Sequence, residues 1–383
     1  MNGNLRETTA KMKKAEIWFF VTSPRMPVFS SLQPLSGLLG RPTPPRAHAK
    51  CGHYRYDALP RLFLEPKGVA VPLENFADRL LAAIDTRNTP LVVGLDPVYD
   101  RLPRAISGHR ELNDGDDLEA AVDALLEFST RVLKIVAPLV PAVKINSAFF
   151  EPYFSYGVEA FQALVQEATA HGLLVINDAK RADIGNTSER YAAATLIEPP
   201  FDSLSEHAAP DAVTVAPYMG SDSVGPFISA AQAHGKGVFV LVRTSNPGAA
   251  EIQDVLLQDG TPLYQHVGKL VEKWGAPLIG ERGYSSVGAV VGATNPEQLA
   301  TLRGLLPQTL FLVPGYGAQG ASAGDVAKAF NADGRGAIIN SSRAILQAHL
   351  NPRYANLPWE KAVEAATRAA ITEIRSALHA ARG

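Results

Sequence analysis

Two aspartates and a lysine follow one another at close spacing near the middle of this chain, as Asp178, Lys180 and Asp183. They end an apolar run at 173–177 that is typical of a buried strand. Because side chains alternate between the two faces of a strand, Asp178 and Lys180 should project to the same side, whereas Asp183 lies beyond the strand end. A lysine held between carboxylates stays protonated. Such an ammonium group can give a proton to a developing carbanion and stabilise its charge, although the same residues would also suit a solvated salt-bridge cluster on a loop.

The hydrophobic pattern indicates which elements position these side chains. Short apolar, β-branched segments are predicted strands, at 91–96, 142–149, 173–178, 212–218, 237–244, 287–293, 310–315 and 336–341. Segments of helical period lie between them, at 118–137, 157–171, 222–234, 262–274 and 296–306. Asn186 and Glu189 have the spacing of a capping box, which predicts a helix with Asn186 as its N-cap. Eight such units predict an α/β fold, a parallel (β/α)8 TIM barrel. An open doubly wound sheet is disfavoured because no Gly-x-Gly-x-x-Gly follows the first strand.

Catalytic groups of such barrels lie at the carboxyl ends of the strands. The predicted strand ends carry polar residues of several kinds: Asp96, Lys144, Asn146, Asp178, Lys180, Thr244, Ser245, Asn246, Ser342 and Arg343. All of them should face one mouth of the barrel, so the sequence predicts an enzyme.

Two of the last loops indicate what this enzyme binds. Gly315, Gly317 and Gly320 follow the seventh strand, where glycines let backbone amides approach an anion closely. Arg343 follows the eighth strand and can give a phosphate oxygen a planar, charge-assisted pair of hydrogen bonds. The two loops together predict a phosphorylated small-molecule substrate, although a glycine at a strand end often serves only a turn.

The composition argues against several other classes of function. A net charge of -2 gives no electrostatic basis for binding nucleic acid or an anionic membrane surface. No apolar segment approaches the roughly 18 residues that span a membrane. The single cysteine, Cys51, fits a reducing compartment, so we expect a cytoplasmic protein. The histidines are scattered without the spacing of metal ligands, so no metal or other cofactor is expected.

Residues 1–72 differ from the rest of the chain. They hold 11 Lys and Arg against 4 Asp and Glu, and nine of the 28 prolines, without a sustained helical or alternating pattern. We interpret them as a basic, Pro-rich, disordered N-terminal extension, and residues 73–383 as a single catalytic barrel domain. A basic leader would also suit organelle import, but no long amphipathic helix supports that interpretation.

The segment at 177–187, Asn-Asp-Ala-Lys-Arg-Ala-Asp-Ile-Gly-Asn-Thr, resembles the Asp-x-Lys-x-x-Asp motif of the orotidine 5'-phosphate decarboxylases. The resemblance extends from residue 73 to the C-terminus and is closest to the longer bacterial form of the family. It includes, in chain order, the segments at 94–97, 143–146, 244–248, 314–320 and 341–343. It implies cofactor-free conversion of orotidine 5'-phosphate to UMP and carbon dioxide, the last step of de novo UMP synthesis.

The resemblance also implies a role for each matching residue. The catalytic set would be Lys180, Asp178, Asp183 and Lys144, with Lys180 stabilising a carbanion at C6 and then protonating it. In a homodimer, Asp183 and Thr187 would reach the active site of the partner subunit. The remaining substrate contacts would be Asp96 with Lys144 on the ribose hydroxyls, Ser245 and Asn246 at the pyrimidine edge, Gln319 between phosphate and ring, and Ser342 and Arg343 at the phosphate.

Two other functions stay open at this point. Metal-dependent phosphosugar decarboxylases and synthases of the same superfamily also use Asp-x-Lys, usually together with a Glu. A catalytically inactive pyrimidine-nucleotide-binding protein is the other alternative, and the intact Asp178, Lys180 and Asp183 argue against it. An aldolase with Lys180 as a Schiff base would need a neutral amine, which the flanking carboxylates oppose.

Overall fold

A computed structural model describes residues 73–108, 118–204, 207–317 and 320–382. In these ranges eight parallel strands close into a barrel, each paired with its neighbours in the chain, and the last strand pairs with the first. The strands are β1 (Leu91–Leu95), β2 (Ala142–Ile145), β3 (Leu174–Arg181), β4 (Ala212–Val215), β5 (Gly237–Arg243), β6 (Ser285–Val291), β7 (Thr309–Val313) and β8 (Ala337–Ser341). The predicted (β/α)8 barrel is confirmed. The predicted extension, residues 1–72, lies outside the described ranges.

In the ranges described, one helix precedes the first strand, and the others follow the strands and cover the outside of the barrel. They are α1 (Phe76–Arg87), α2 (Arg104–Ser107), α3 (Leu118–Val136), α4 (Phe154–Ala170), α5 (Gly185–Leu196), α6 (Ser221–His234), α7 (Ala250–Gln253), α8 (Leu263–Gly275), α9 (Pro296–Leu305), α10 (Ala323–Ala327), α11 (Arg343–Leu346) and α12 (Trp359–Ala380). The five segments of helical period correspond to α3, α4, α6, α8 and α9. None of the helices described is long and apolar enough to cross a bilayer.

The helix after β3 begins differently from the prediction. Its first residue is Gly185, and no side chain caps it. Gly185 has a φ of +50°, a conformation that glycine adopts easily, and it lets the helix start directly after the turn at Asp183 and Ile184. Asn186 is therefore already helical, and the capping box predicted for Asn186 and Glu189 is wrong.

Alternate residues of the strands fill the barrel in layers. The lower layer is apolar and belongs to one buried cluster, which includes Val92, Ala142, Ile176, Ala212, Phe239, Leu310 and Ile338. Two residues further along, the side chains on β2, β3, β4 and β8 are polar: Lys144, Asp178, Thr214 and Asn340. On β5, β6 and β7 the residues that face the same space are Leu241, Val290 and Leu312. The upper end of the barrel therefore has a charged side and an apolar side.

Helix α1 closes the lower end of the barrel. Asn75 caps it by accepting a hydrogen bond from the Ala77 N–H at 2.8 Å. Phe76, in the first turn, packs edge-on against Phe239 with a centroid distance of 6.0 Å. Gly237 leaves room for it, because a Cβ there would lie 2.3 Å from the Phe76 ring. Burial of this ring ties the helix to the barrel interior.

Replacing Phe76 with alanine should lower the free energy of unfolding by about 3–5 kcal/mol, because it leaves a cavity among fully buried side chains. Phe76 is 1% exposed, whereas Phe154 is 77% exposed and offers a matched control. Urea unfolding of Phe76→Ala and Phe154→Ala measures the difference. Equal losses in the two variants would show that α1 does not stabilise the barrel in this way.

Candidate active site

A cavity of about 730 Å³ opens at the carboxyl ends of the strands. Its lining includes all ten polar residues predicted at the strand ends: Asp96, Lys144, Asn146, Asp178, Lys180, Thr244, Ser245, Asn246, Ser342 and Arg343. Asp183 and Thr187 are not among the lining residues, and Gln319 lies outside the described ranges. A cavity of this size accommodates a small-molecule substrate.

Four charged side chains form a series of alternating sign along the cavity wall, from Asp96 through Lys144 and Asp178 to Lys180. Lys144 Nζ lies 3.6 Å from Asp96 Oδ1 and 2.8 Å from Asp178 Oδ2. Lys180 Nζ lies 2.7 Å from the other oxygen of Asp178, Oδ1. Each ammonium group therefore has a carboxylate beside it, and Asp178 joins the two lysines.

The electrostatic environment keeps the middle of this series ionised. Burial alone lowers the pKa of Lys144, but the carboxylates of Asp96 and Asp178 outweigh burial and raise that pKa above its ordinary value. Burial would raise the pKa of Asp178, yet the ammonium groups of Lys144 and Lys180 hold it well below its usual range. The Lys144 side chain is 6% exposed and that of Lys180 is 46% exposed. Both ammonium groups line the cavity, and that of Lys180 is the more accessible of the two.

The backbone at Lys180 is unusual. Its φ is +47°, in the left-handed region that a residue other than glycine adopts at a cost of about 1–2 kcal/mol. Positions held in this way occur often where the chain must aim a side chain. Here the conformation carries the lysine above Asp178 at the cavity mouth.

Two lining or supporting residues were missed by the sequence reasoning. Thr214 on β4 donates its hydroxyl proton to Asp178 Oδ1 at 2.9 Å. Asn340 on β8 donates to Ser342 Oγ at 3.2 Å, and its Oδ1 accepts no hydrogen bond within the described residues. The signal that could have found both is a polar residue at an inward position of an otherwise apolar strand.

The loop after β5 is held by a buried arginine. Arg243 donates from Nε and Nη2 to the two oxygens of Asp254, at 3.0 and 3.1 Å, and from Nη1 to the Thr244 carbonyl at 2.8 Å. Ser245 then passes so close to Gly292 that a Cβ there would lie 2.8 Å from the Ser245 backbone nitrogen. These contacts fix Ser245 at the cavity wall.

The loop after β7 contains three glycines with positive φ, and the loop after β8 contributes Arg343. Gly315, Gly317 and Gly320 have φ values of +106°, +75° and +95°. Between the first two, the Tyr316 hydroxyl donates to Glu373 of α12 at 2.7 Å, which anchors the loop to the last helix. Arg343 is exposed at the first position of α11 and lines the cavity.

Asp183 and Thr187 lie where the chain leaves β3 and enters α5. The Asp183 carboxylate accepts a hydrogen bond from the Ile184 N–H at 2.8 Å, and Thr187 is exposed. Neither residue contributes to the lining of the cavity in its own barrel.

The low pKa of Asp178 predicts how stability depends on pH. Because the carboxyl group ionises more readily in the folded protein than in the unfolded chain, it stabilises the fold above its ordinary pKa of about 4, and that contribution is lost as the pH falls below this value. Wild-type protein should therefore lose more unfolding free energy between about pH 7 and about pH 3 than Asp178→Asn does. Urea unfolding at both pH values measures this. Asp222→Asn, at an exposed position of α6, is the control and should keep the wild-type loss. Equal losses for wild type and Asp178→Asn would contradict the assignment.

Comparison with known proteins identifies the family. The family model for the orotidine 5'-phosphate decarboxylase / HUMPS family matches residues 79–356. Orotidine 5'-phosphate decarboxylase of Rhodopirellula baltica is 42% identical over 301 residues, which cover 76% of this chain and 96% of that protein. The Caldicellulosiruptor bescii enzyme of the same name is 36% identical over 305 residues, covering 79% and 99%. The crystal structure of a Streptomyces avermitilis protein, provisionally assigned the same activity, aligns with a TM-score of 0.65 and 36% identity over 82% of this chain and 100% of that one. With its eight-stranded barrel and the Asp178–Lys180 pair at the mouth, this chain belongs to the orotidine 5'-phosphate decarboxylase family.

Proposed function

We propose that this protein decarboxylates orotidine 5'-phosphate to UMP and carbon dioxide, the last step of de novo UMP synthesis, and that it does so by fixed charges without a cofactor. The observation that carries the proposal is the alternating charge series, which ends in the accessible ammonium group of Lys180. Membership of the family supports the choice of substrate.

The reaction is difficult because of where its electrons go. The bond between C6 and the carboxylate carbon breaks, and the electron pair stays on C6 in the plane of the ring, where the ring carbonyls cannot delocalise it. A protein that supplies only charges must lower this barrier by roughly 20 kcal/mol, near the upper end of enzymatic rate enhancement. Of the contributions that an enzyme can make, electrostatic stabilisation by preorganised charges in a site that excludes water is the one that can lower a barrier by this amount.

Lys180 has the two properties that this chemistry needs. Its ammonium group stabilises the negative charge that develops on C6, and a proton then passes from Nζ to C6. Once the product has left, the amine regains a proton from solvent, which reaches it because the Lys180 side chain is 46% exposed. Asp178 orients the ammonium group, and Lys144 keeps Asp178 ionised.

The substrate is held by the rest of the cavity wall. Asp96 and Lys144 take the ribose hydroxyls, and the Oδ1 of Asp96 is buried without a hydrogen-bond partner among the described residues. The apolar side of the cavity, Leu241, Val290 and Leu312, receives the pyrimidine ring. The polar contacts to the ring and the phosphate come from Ser245, Asn246, Gln319, Ser342 and Arg343.

We further propose a homodimer in which Asp183 and Thr187 serve the partner's active site. Neither residue is among those that line the cavity of its own barrel. Apolar side chains are exposed beside them in the loops after β3 and β4: Ile184 is 54% exposed, Tyr218 86% and Met219 42%. Exposed apolar groups gathered in one region are typical of protein interfaces. An Asp183 carboxylate from the partner would continue the alternating series beyond Lys180.

The domain bounds and the cellular location follow the same proposal. The family match lies within residues 73–383, so we assign the decarboxylase activity to that part of the chain. A single cysteine in 383 residues fits a reducing compartment, and we place the reaction in the cytoplasm.

The metal-dependent relatives are the second candidate. Both carboxylates that line the cavity, Asp96 and Asp178, already face ammonium groups, which compete with a cation for the same oxygens. Within the described residues no three His, Cys, Asp or Glu side chains are grouped so as to hold a metal ion. The decarboxylase therefore has the better support, and its assays should include a chelator to separate the two.

Replacing Lys180 with alanine should abolish decarboxylation while binding of UMP stays measurable, because the lost group acts in the transition state. The loss of orotidine 5'-phosphate absorbance, followed in EDTA, measures turnover. Lys134→Ala, at an exposed lysine of α3, is the matched control and should behave as wild type. Retention of more than a few per cent of the rate by Lys180→Ala would remove Lys180 as the proton donor. Loss of wild-type activity in EDTA would favour the metal-dependent candidate.

Replacing Arg343 with alanine should weaken nucleotide binding by roughly 2–4 kcal/mol through the lost phosphate contact. Calorimetric titration with UMP and with uridine separates the phosphate from the nucleoside. Arg353→Ala, at an exposed arginine, is the control. If affinity for UMP and for uridine fell equally, Arg343 would not contact the phosphate.

The dimer proposal predicts complementation between two inactive variants. Asp183→Ala and Lys180→Ala chains, once mixed, form hybrid dimers with one site that carries both changes and one that carries neither. Random exchange makes about half the dimers hybrid, so roughly a quarter of wild-type activity should return, given two-fold symmetry. The mixture is assayed after mass spectrometry has verified exchange of subunits. Exchange without recovery would place Asp183 in the site of its own subunit.

A further inference from the structure

Thr214, on β4, contacts two groups at the end of β3: the backbone N–H of Lys180 and the carboxylate of Asp178. The residue is fully buried. Its Oγ1 accepts a hydrogen bond from the Lys180 backbone N–H at 3.0 Å and donates one to Asp178 Oδ1 at 2.9 Å. The amide can only donate and the ionised carboxylate can only accept, so the hydroxyl accepts with a lone pair and gives its single proton to Asp178.

The pairing of β3 with β4 explains why a side chain takes the Lys180 amide proton. Asn177 lies opposite Val213, and Arg181 lies opposite Val215, with a shift of register between them. Four residue steps on β3 therefore match two on β4, since 181 - 177 = 4 and 215 - 213 = 2. The extra residues form a bulge, and the bulge contains Lys180 with its φ of +47°. Thr214 ties this bulge to β4 where the regular ladder is interrupted.

The same hydroxyl completes the donor set of Asp178. One carboxylate oxygen, Oδ2, accepts from Lys144. The other, Oδ1, accepts from both Lys180 Nζ and Thr214 Oγ1. Three donors on two oxygens leave the carboxylate little freedom to rotate. The position of the Lys180 side chain is then fixed at both ends, because its backbone N–H bonds to Thr214 and its ammonium group bonds to Asp178.

We infer that Thr214 is a positioning residue of the decarboxylase: it acts through Lys180 and Asp178 and holds the proton donor at a fixed distance from C6. It does not line the cavity, and the inference gives it no contact with the substrate. Loss of its hydroxyl should therefore reduce kcat and leave the binding of nucleotide nearly unchanged.

The test compares Thr214→Val, which keeps the shape and removes the hydroxyl, with Thr214→Ser, which keeps the hydroxyl. A catalytic group that is misplaced by up to about 1 Å can slow a reaction by up to about a hundredfold. The kcat of Thr214→Val should therefore fall roughly 10- to 100-fold. KM and the Kd for UMP should change less than about threefold, and Thr214→Ser should recover most of the lost kcat. Thr367→Val is the control, because Thr367 is equally buried but its hydroxyl donates to the Val363 carbonyl within α12, away from the charge series.

Three results would overturn the inference: wild-type kcat in Thr214→Val, no recovery in Thr214→Ser, or a loss confined to KM. If the valine variant did not fold, Thr214→Ser and Thr214→Ala would be compared instead. Both lack the Cγ2 methyl group of threonine, and only serine keeps the hydroxyl. The inference rests on the proposed role of Lys180, but the two fail separately. Activity in Lys180→Ala would remove the mechanism, whereas an inactive Lys180→Ala with a fully active Thr214→Val would remove only the role of Thr214.

Discussion

The carboxylate of Asp178 is the group on which the site depends. It accepts hydrogen bonds from two ammonium groups and one hydroxyl, and it is the link between a buried lysine and an accessible one. A buried carboxylate is costly unless it is paired, and a buried lysine such as Lys144 is costly for the same reason. Each charge is therefore kept in place by the next, and the series ends where the substrate can reach it.

The barrel makes such a series possible because its strands bring consecutive layers of side chains to a common axis. The apolar layer that includes Ile176 and Ala212 closes the interior, and one alternation later Asp178 and Thr214 meet above it. The bulge at Lys180 adds what a regular strand could not provide, since it lifts one side chain of β3 from the wall to the mouth. The chemistry of the site thus comes from a local departure from regular strand geometry.

Much of this arrangement could be predicted from the sequence, and the reasons are local. The short spacing of Asp178 and Lys180 at a strand end predicted that the two side chains lie together, although Lys180 reaches Asp178 from a bulge and not from a regular strand. Thr214 could not be found in the same way, because its role depends on a register between two strands that are far apart in sequence. The helix start at Gly185 was mispredicted because glycine permits a turn that the capping pattern at Asn186 does not encode.

Helix α1 closes the barrel at the end opposite the charges, and this separation has a consequence for the evolution of the protein. The side chains that keep the barrel closed, such as Phe76 and Phe239, are not the side chains that line the cavity. A change at an apolar position of the mouth, such as Leu241, therefore leaves the packing of Phe76 on Phe239 in place. Exchange of one member of the charge series, by contrast, leaves its buried neighbour unpaired, so new specificities should arise more easily on the apolar side of the cavity than on the charged side.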